Sequence, residues 1–121
     1  MSSVSLQPLT WPKPEPRDVV FIAYPRMSLL DLSGAQTVFW AASKALAERC
    51  QPGYQLHTAS LEGGLVNTVE GLAVDTRALR ELDIAALHTL VVPGAPDICQ
   101  TLDEHAELTA WLRRNAPVAR R

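Results

Sequence analysis

Asp31 is the residue whose type and position most directly suit chemistry. It lies in the stretch VVFIAYPRMSLLDLSG (19–34), where a run of apolar residues gives way to a helical pattern. A carboxylate at such a junction can serve as an acid or base for a ligand or for a neighbouring thiol. A structural interpretation also fits, because SLLD at residues 28–31 matches a capping box, with Ser28 as N-cap and the carboxylate reaching back to its amide. The sequence leaves both interpretations open.

A second candidate loop is Pro93-Gly94-Ala95-Pro96-Asp97, a sharp turn between a strand and a helix. Its exposed amides suit an anion or an oxyanion at the helix N-terminus. The alternative is a plain connection in which Asp97 caps the helix. Because open parallel sheets bind ligands at the carboxyl ends of their strands, we predict that a bound metabolite contacts Asp31, Gly94 and Ala95.

The remaining chemistry-bearing residues give weaker signals. Cys99 lies just beyond the second loop, but a lone cysteine is more often a small core residue than a nucleophile. His57, His88 and His105 lack metal-ligand spacing, so we interpret them as strand or helix-surface residues. No glycine-rich phosphate loop is present. We therefore predict neither a metal nor a cofactor.

Composition limits the classes of partner. The 121 residues are 47% hydrophobic and 20% charged, with a net charge of −2, which indicates one globular domain without a basic field for nucleic acid. Two cysteines without redox spacing favour a reducing compartment, and we expect a cytoplasmic protein. No apolar run reaches the ~18 residues of a membrane span. The arginines near the C-terminus are interpreted as a solvated helix end.

Hydrophobic periodicity predicts an alternation of strands and helices. Strands are predicted at Asp18–Tyr24, Tyr54–Ser60, Leu65–Val69, Leu72–Thr76 and Leu87–Val92, with a two-residue hairpin turn at Glu70-Gly71. A helix with an inward stripe of Leu32, Ala35, Phe39, Ala42 and Leu46 ends at Pro52-Gly53, and a second spans Thr101–Asn115 with Leu102, Leu108 and Leu112 inward. This order predicts an α/β fold with a mostly parallel sheet.

The ends of the chain give two further expectations. Residues 1–17 are rich in proline and are predicted to form a flexible arm, with residues 18–121 as the folded part. The chain stops after a helix, where a further strand would be expected, so an open sheet edge should be covered by a partner chain or by further residues. Trp11, Trp40 and Trp111 are available for such contacts, and we expect a homodimer.

Four segments in this order resemble one family. YPRMSLLDLSGAQTVFWAA (24–42), LEGGLVNTVEGLAVDT (61–76), LHTLVVPGAPD (87–97) and AWLRRNAPVARR (110–121) resemble the N-terminal domain of DJ-1/PfpI-type transcriptional regulators of the AraC family, also called GlxA-like regulators. The resemblance implies a flavodoxin-like, class I glutamine amidotransferase-like sandwich, truncated here before the strand of the nucleophile elbow.

In that superfamily an acidic residue at the position of Asp31 faces a cysteine on the elbow. The elbow would follow Arg121, so it is missing, and Cys99 does not correspond to it. The family's Pro-Gly-Gly becomes Pro93-Gly94-Ala95 here. Alanine resists the positive φ that glycine permits, so an oxyanion-binding amide at Ala95 would need another backbone conformation.

The resemblance implies a ligand-sensing or dimerisation domain that binds an unknown small-molecule effector. DNA would be bound only through a C-terminal helix-turn-helix domain that this chain does not contain. Two alternatives remain: an enzyme of the isonitrile hydratase or amidase-like type, with Asp31 as acid or base, and a purely structural oligomerisation module.

Overall fold

The computed structural model describes residues 15–119, and most of the predicted arm, residues 1–14, lies outside them. The strands are β1 (Arg17–Ile22), β2 (Tyr54–Ser60), β3 (Gly64–Asn67), β4 (Ala73–Ala78) and β5 (Thr89–Val91). The α-helices are α1 (Leu29–Glu48), α2 (Ile98–Glu104) and α3 (Ala106–Asn115), with 3₁₀ turns at Leu79–Glu81, Ile84–Ala86 and Ala116–Val118. None of the helices among residues 15–119 is long and apolar enough to cross a membrane.

The five strands form one sheet in the order β3-β4-β2-β1-β5. β1 pairs in parallel with β2 on one side and with β5 on the other, and β4 pairs in parallel with β2. Only β3 is antiparallel, as the outer strand of a hairpin with β4. The predicted α/β fold with a mostly parallel sheet is therefore confirmed, and β5 forms one edge of the described sheet.

β1 lies at the centre of the core. Its residues Val19 to Ile22 are completely buried, as expected for a continuous apolar run covered on both faces of a parallel sheet. The Phe21 ring meets Phe39 of α1 edge-on at 5.8 Å, and Phe39 meets Tyr54 of β2 at 5.0 Å. These aromatic contacts fix α1 against the sheet and so determine where its N-terminus lies.

α1 ends earlier than the Pro52-Gly53 signal predicted. Cys50 has a positive φ of 56°, and its amide and that of Gln51 bond to the carbonyl oxygens of Ala47 and Leu46 at 3.0 and 2.9 Å. This is a Schellman motif, which satisfies the last carbonyl groups of a helix. Gly53 has a different role, because a Cβ there would lie 2.8 Å from the Ser43 Cβ.

The predicted two-residue hairpin turn is wrong. Strand pairing stops at Asn67 opposite Ala73, which leaves a five-residue connection, 68–72. Its apex is closed by hydrogen bonds from the Gly71 amide to the Thr68 carbonyl and from the Thr68 amide to the Leu72 carbonyl. Thr68, which was predicted to lie in a strand, is a buried residue of this turn, because β3 ends at Asn67.

The predicted helix at Thr101–Asn115 is two helices that meet at His105. The backbone of His105 is not helical, with φ −115° and ψ 46°, and its imidazole Nε2 lies 3.1 Å from the Pro25 carbonyl oxygen. The break divides the predicted apolar stripe. Leu108 is buried as predicted, whereas Leu102 is 52% exposed, so its predicted inward position is wrong. β5 is also shorter than the predicted Leu87–Val92 strand.

Candidate functional site

The loops that follow β1 and β5 meet at the carboxyl edge of the sheet. The Gly94 amide donates to Asp31 Oδ2 at 3.1 Å, and the Ser28 amide donates to the Gly94 carbonyl oxygen at 2.9 Å. β1 and β5 are neighbours, while the chain leaves β1 towards β2 on its other side. The two loops therefore frame the reversal of strand order where open sheets place ligands.

Asp31 does not complete the predicted capping box. Ser28 is the N-cap of α1, and its hydroxyl accepts from the Asp31 amide at 3.5 Å. The Asp31 carboxylate, however, accepts the Gly94 amide and not the Ser28 amide. The Ser28 amide donates instead to the Gly94 carbonyl oxygen. The helix therefore keeps its hydroxyl cap, while the Asp31 side chain remains exposed at the site.

Gly94 allows the close approach of the two loops. A Cβ on Gly94 would lie 2.8 Å from Asp31 Oδ2, which is shorter than any ordinary carbon–oxygen contact. Ala95 is half-buried against the core, and it does not belong to the non-glycine residues of 15–119 that have a positive φ. Alanine therefore fits at position 95 without backbone strain, and its role towards a ligand stays a prediction.

Tyr24 is a site residue that sequence reasoning missed. Its buried hydroxyl donates to the Pro93 carbonyl oxygen at 2.6 Å and so joins the end of β1 to the turn after β5. Burial, and to a lesser extent the charge of Asp31, raises the pKa of Tyr24 above its ordinary value. The Tyr24-Pro25 pair at the end of the apolar run is the feature of the sequence that could have indicated this site residue.

Arg26 lies beside the site in a strained conformation. Its φ is 72°, in the left-handed region that a residue with a Cβ rarely adopts. Its guanidinium lies 3.6 Å from both Asp97 and Glu104. These partners are well exposed, so the ion pairs contribute little stability. Asp97 has the predicted N-cap position of α2, but its side chain does not cap the helix.

Glu70 is the other residue that the sequence did not single out. From the connection between β3 and β4 its Oε1 accepts the amide of Leu29, the first residue of α1, at 3.1 Å. A carboxylate there suits the positive end of the helix dipole. The N-terminus of α1 is thus contacted by its own cap residue Ser28, by Glu70 and by Gly94, which are far apart in the sequence.

The histidines and cysteines do not join Asp31. His57 lies between Asp18 and Arg77, at 2.9 and 3.2 Å, and His88 bonds to the Thr89 hydroxyl. Cys99 is an exposed free thiol, so the expectation of a core residue is wrong. Within residues 15–119 no group of three or more histidine, cysteine or acidic side chains is arranged to hold a metal ion.

One cavity lies next to the candidate site, and a larger one lies away from it. A cavity of about 280 Å³ lies beside it, lined by Tyr24, Pro25 and His105 among others. A larger one, of about 530 Å³, lies at the opposite end of the sheet, around Arg17 and Leu87. Open parallel sheets bind ligands at the carboxyl ends of their strands and not at the amino ends. We therefore locate the candidate site from the positions of the loops and not from the volume of the cavities.

The structure resembles several solved structures, among them two from Pseudomonas species. A crystal structure of an AraC family transcriptional regulator from Pseudomonas putida is 25% identical, with a TM-score of 0.55, and the alignment covers 78% of this chain and 61% of that one. A ThiJ/PfpI family protein from Pseudomonas syringae is 20% identical, with a TM-score of 0.69 and coverage of 99% and 46%. The chain has a DJ-1/PfpI-type fold.

The predicted flavodoxin-like architecture of the DJ-1/PfpI-type fold is thereby confirmed. The chain spans about three fifths and about half of the lengths of these two structures. No protein-family model matches the sequence, and the comparison with curated proteins gave no match.

Proposed function

We propose that this chain is the ligand-sensing domain of an AraC-type transcriptional regulator and that it also contributes to dimerisation. The observation that carries the proposal is the hydrogen bond between the Gly94 amide and Asp31 Oδ2, at the switch point of a DJ-1/PfpI-type sheet. The similarity to the Pseudomonas putida regulator supports the regulatory assignment. Nothing in this sequence resembles a helix-turn-helix, so DNA binding is assigned to another domain.

The geometry supports a site that responds to its ligand. Asp31 is exposed, and Gly94 binds one of its carboxylate oxygens, so a small molecule with a hydrogen-bond donor competes with Gly94 or extends the pair. Either event changes how the loops after β1 and β5 are joined. A ligand shifts such an equilibrium only by its difference in affinity for the two arrangements, so losing the Asp31 contact should weaken the response.

The experiment uses the product of the complete gene in a promoter–reporter strain challenged with a panel of amino acids, amines and small carboxylic acids. We expect Asp31→Asn to keep promoter binding and to need roughly tenfold more of the active compound, as loss of about 1.4 kcal/mol implies. The control is Asp75→Asn, an exposed carboxylate on β4. An unchanged dose response in Asp31→Asn, or an equal loss in the control, would contradict the proposal.

The alternative is a DJ-1/PfpI-superfamily enzyme of the isonitrile hydratase or amidase-like type. The exposed Asp31 carboxylate at the carboxyl edge of the sheet favours it, because a substrate could reach this group. In that case Asp31 would act as general acid or base. Assays of amide and isonitrile hydration with the complete gene product test it: turnover that is lost in Asp31→Asn favours the enzyme, and its absence in both proteins favours the sensor.

The outer face of α1 supports a homodimer. Leu30 and Val38 are 73% and 67% exposed, and Gly34 lies between them. A Cβ on Gly34 would meet only Leu30 Cδ1, at 4.0 Å, so packing within the described chain does not require a glycine there. A glycine destabilises the middle of a helix, but it lets the backbones of two α1 helices approach closely in a dimer. Trp40 is exposed nearby, Trp111 packs on the core, and Trp11 lies outside the described residues.

Native mass spectrometry tests the dimer. We expect a species near twice 13.2 kDa, and we expect Leu30→Asp to shift it to the single-chain mass because the charge would be buried. Leu102→Asp, on exposed α2, is the control and should leave the dimer intact. A single-chain mass for the wild type, or dissociation by the control as well, would contradict the α1 interface.

A further inference from the structure

Residues 26–29, which lead from β1 into α1, are held from both sides by backbone hydrogen bonds. On one side the Arg26 amide donates to the Asn67 carbonyl at 2.9 Å, and the Val69 amide donates to the Met27 carbonyl at 3.0 Å. On the other side the Ser28 amide donates to Gly94. We call residues 67–72 the strap, because they fasten this loop to the β3–β4 hairpin.

The strap has a conformation of its own that presents Glu70. Gly71 has a φ of 95°, which glycine adopts without strain, and its amide bonds to the Thr68 carbonyl. The Thr68 hydroxyl and amide both donate to the Leu72 carbonyl, each at 2.9 Å. Glu70 therefore projects from a hydrogen-bonded turn, and that turn is itself bonded to the loop before α1 through the Val69 amide and the Met27 carbonyl.

The Glu70 carboxylate binds the first turn of α1 at the amide next to the one that the capping box had assigned to Asp31: Glu70 accepts the Leu29 amide, while the Ser28 amide donates to the Gly94 carbonyl. The first turn of α1 has free amides and a positive dipole, which attract the nearest carboxylate. Glu70 Oε1 accepts the Leu29 amide at 3.1 Å, whereas the local cap, Ser28 Oγ, is 3.5 Å from the amide it serves. With the helix end satisfied from the strap, the Asp31 carboxylate is left to accept from Gly94.

We propose that Glu70 is a positioning residue for Asp31: by capping α1 from the strap, it keeps the Asp31 carboxylate turned out of its own helix and towards Gly94. The strap thereby links the β3 edge of the sheet to the candidate site. The structural part of this inference is measured without a ligand, and only its effect on sensing rests on the proposed function.

The test follows single backbone amides of the 121-residue chain by NMR. In the wild type, the Leu29 and Gly94 amides should both shift on acidification, as Glu70 and Asp31 take up protons. In Glu70→Ala the Leu29 amide loses its acceptor, and Asp31 turns back to the helix. We expect hydrogen exchange of the Gly94 amide to accelerate about five- to tenfold, as loss of one hydrogen bond implies, and its acid-dependent shift to fall by about half or more.

Two further variants make the outcome decisive. Glu70→Gln keeps an acceptor without the charge, so Gly94 should stay within about twofold of the wild-type exchange rate, while the Leu29 amide loses its acid-dependent shift. Glu62→Gln removes an exposed carboxylate that pairs with Arg80 and should change neither amide. If Glu70→Ala does not fold, Glu70→Ser, which also removes the carboxylate, takes its place with the same expected changes at Gly94.

Unchanged Gly94 exchange and titration in Glu70→Ala would overturn the inference, and so would a Leu29 amide that still titrates in folded Glu70→Gln. A failure of the sensing proposal would look different: the reporter response would survive in Asp31→Asn while the amides behaved as described.

Discussion

The two loops that meet at the site are held very differently. The loop after β1 follows a strand that pairs on both sides, and it is fastened to the strap, to Gly94 and to the Ser28 cap. The turn after β5 follows a three-residue edge strand, and the helix after it has no side-chain cap. The comparison indicates that the β1 side sets the geometry, and that the second loop is held largely through Tyr24, Ser28 and Asp31.

The Tyr24 hydroxyl is the contact whose loss should weaken the second loop most. Tyr24→Phe leaves the Pro93 carbonyl without its buried donor, which costs about 1–3 kcal/mol of unfolding free energy. Urea denaturation measures this. Tyr54→Phe is the matched control, because no hydrogen bond involves its hydroxyl among the described residues. Equal stability of Tyr24→Phe and the wild type would show that the turn is held by other contacts.

The same hydroxyl predicts a loss of stability in alkali. The folded-state pKa of Tyr24 lies above the ordinary value of 10.0, owing first to burial and then to Asp31. A raised pKa contributes stability that is fully present below the unfolded-state value and is lost as the pH rises through the folded-state value. Tyr24→Phe should flatten this decline in a pH series of urea titrations, and Asp31→Asn should reduce it only in part. A decline of the same size in Tyr24→Phe would contradict the assignment.

Gly94→Ala probes the point where the loops touch. The added Cβ would push against Asp31 Oδ2, which can turn away, so we expect a loss of about 1 kcal/mol and a broken Asp31–Gly94 hydrogen bond. The control, Gly34→Ala, is compared with Gly94→Ala in the Leu30→Asp background, where we expect a single chain, because a Cβ at position 34 has room within one chain but would lie in the proposed dimer contact. In that background Gly34→Ala should raise the stability by about 0.5–1 kcal/mol. Thermal denaturation of both variants measures the difference, and equal stabilisation by both would contradict the close approach.

Changes at the N-cap positions of α1 and α2 should have unequal effects on stability. Ser28→Ala removes a hydroxyl cap from α1 and should cost about 0.5–2 kcal/mol. Asp97→Ala removes an exposed partner of Arg26 that caps nothing, so the change should stay within about 0.5 kcal/mol. Urea denaturation of the pair provides the comparison. An Asp97 effect as large as that of Ser28 would mean that the two helix starts are held alike.

Features determined by local sequence were predictable, whereas the contacts of the site were not. The apolar run of β1, the bounds of β2 and the Ser28 cap follow from periodicity and from neighbouring residues. The partners of Asp31, Leu29 and Tyr24 lie 63, 41 and 69 residues away. The capping box failed because Gly94, a distant residue, binds both of its groups, the Ser28 amide and the Asp31 carboxylate. The imidazole of His105, at the break between α2 and α3, likewise contacts a distant residue, Pro25, 80 residues away.

The most direct test of the central claim is the acid titration of the Gly94 amide in the 121-residue chain, followed by ¹H–¹⁵N NMR. If Asp31 accepts this amide as the structure shows, the Gly94 resonance shifts as the carboxylate protonates, and the shift is absent in Asp31→Asn. A Gly94 resonance that does not respond to acid, or that responds equally in the variant, would contradict the joining of the two loops on which the proposed site depends.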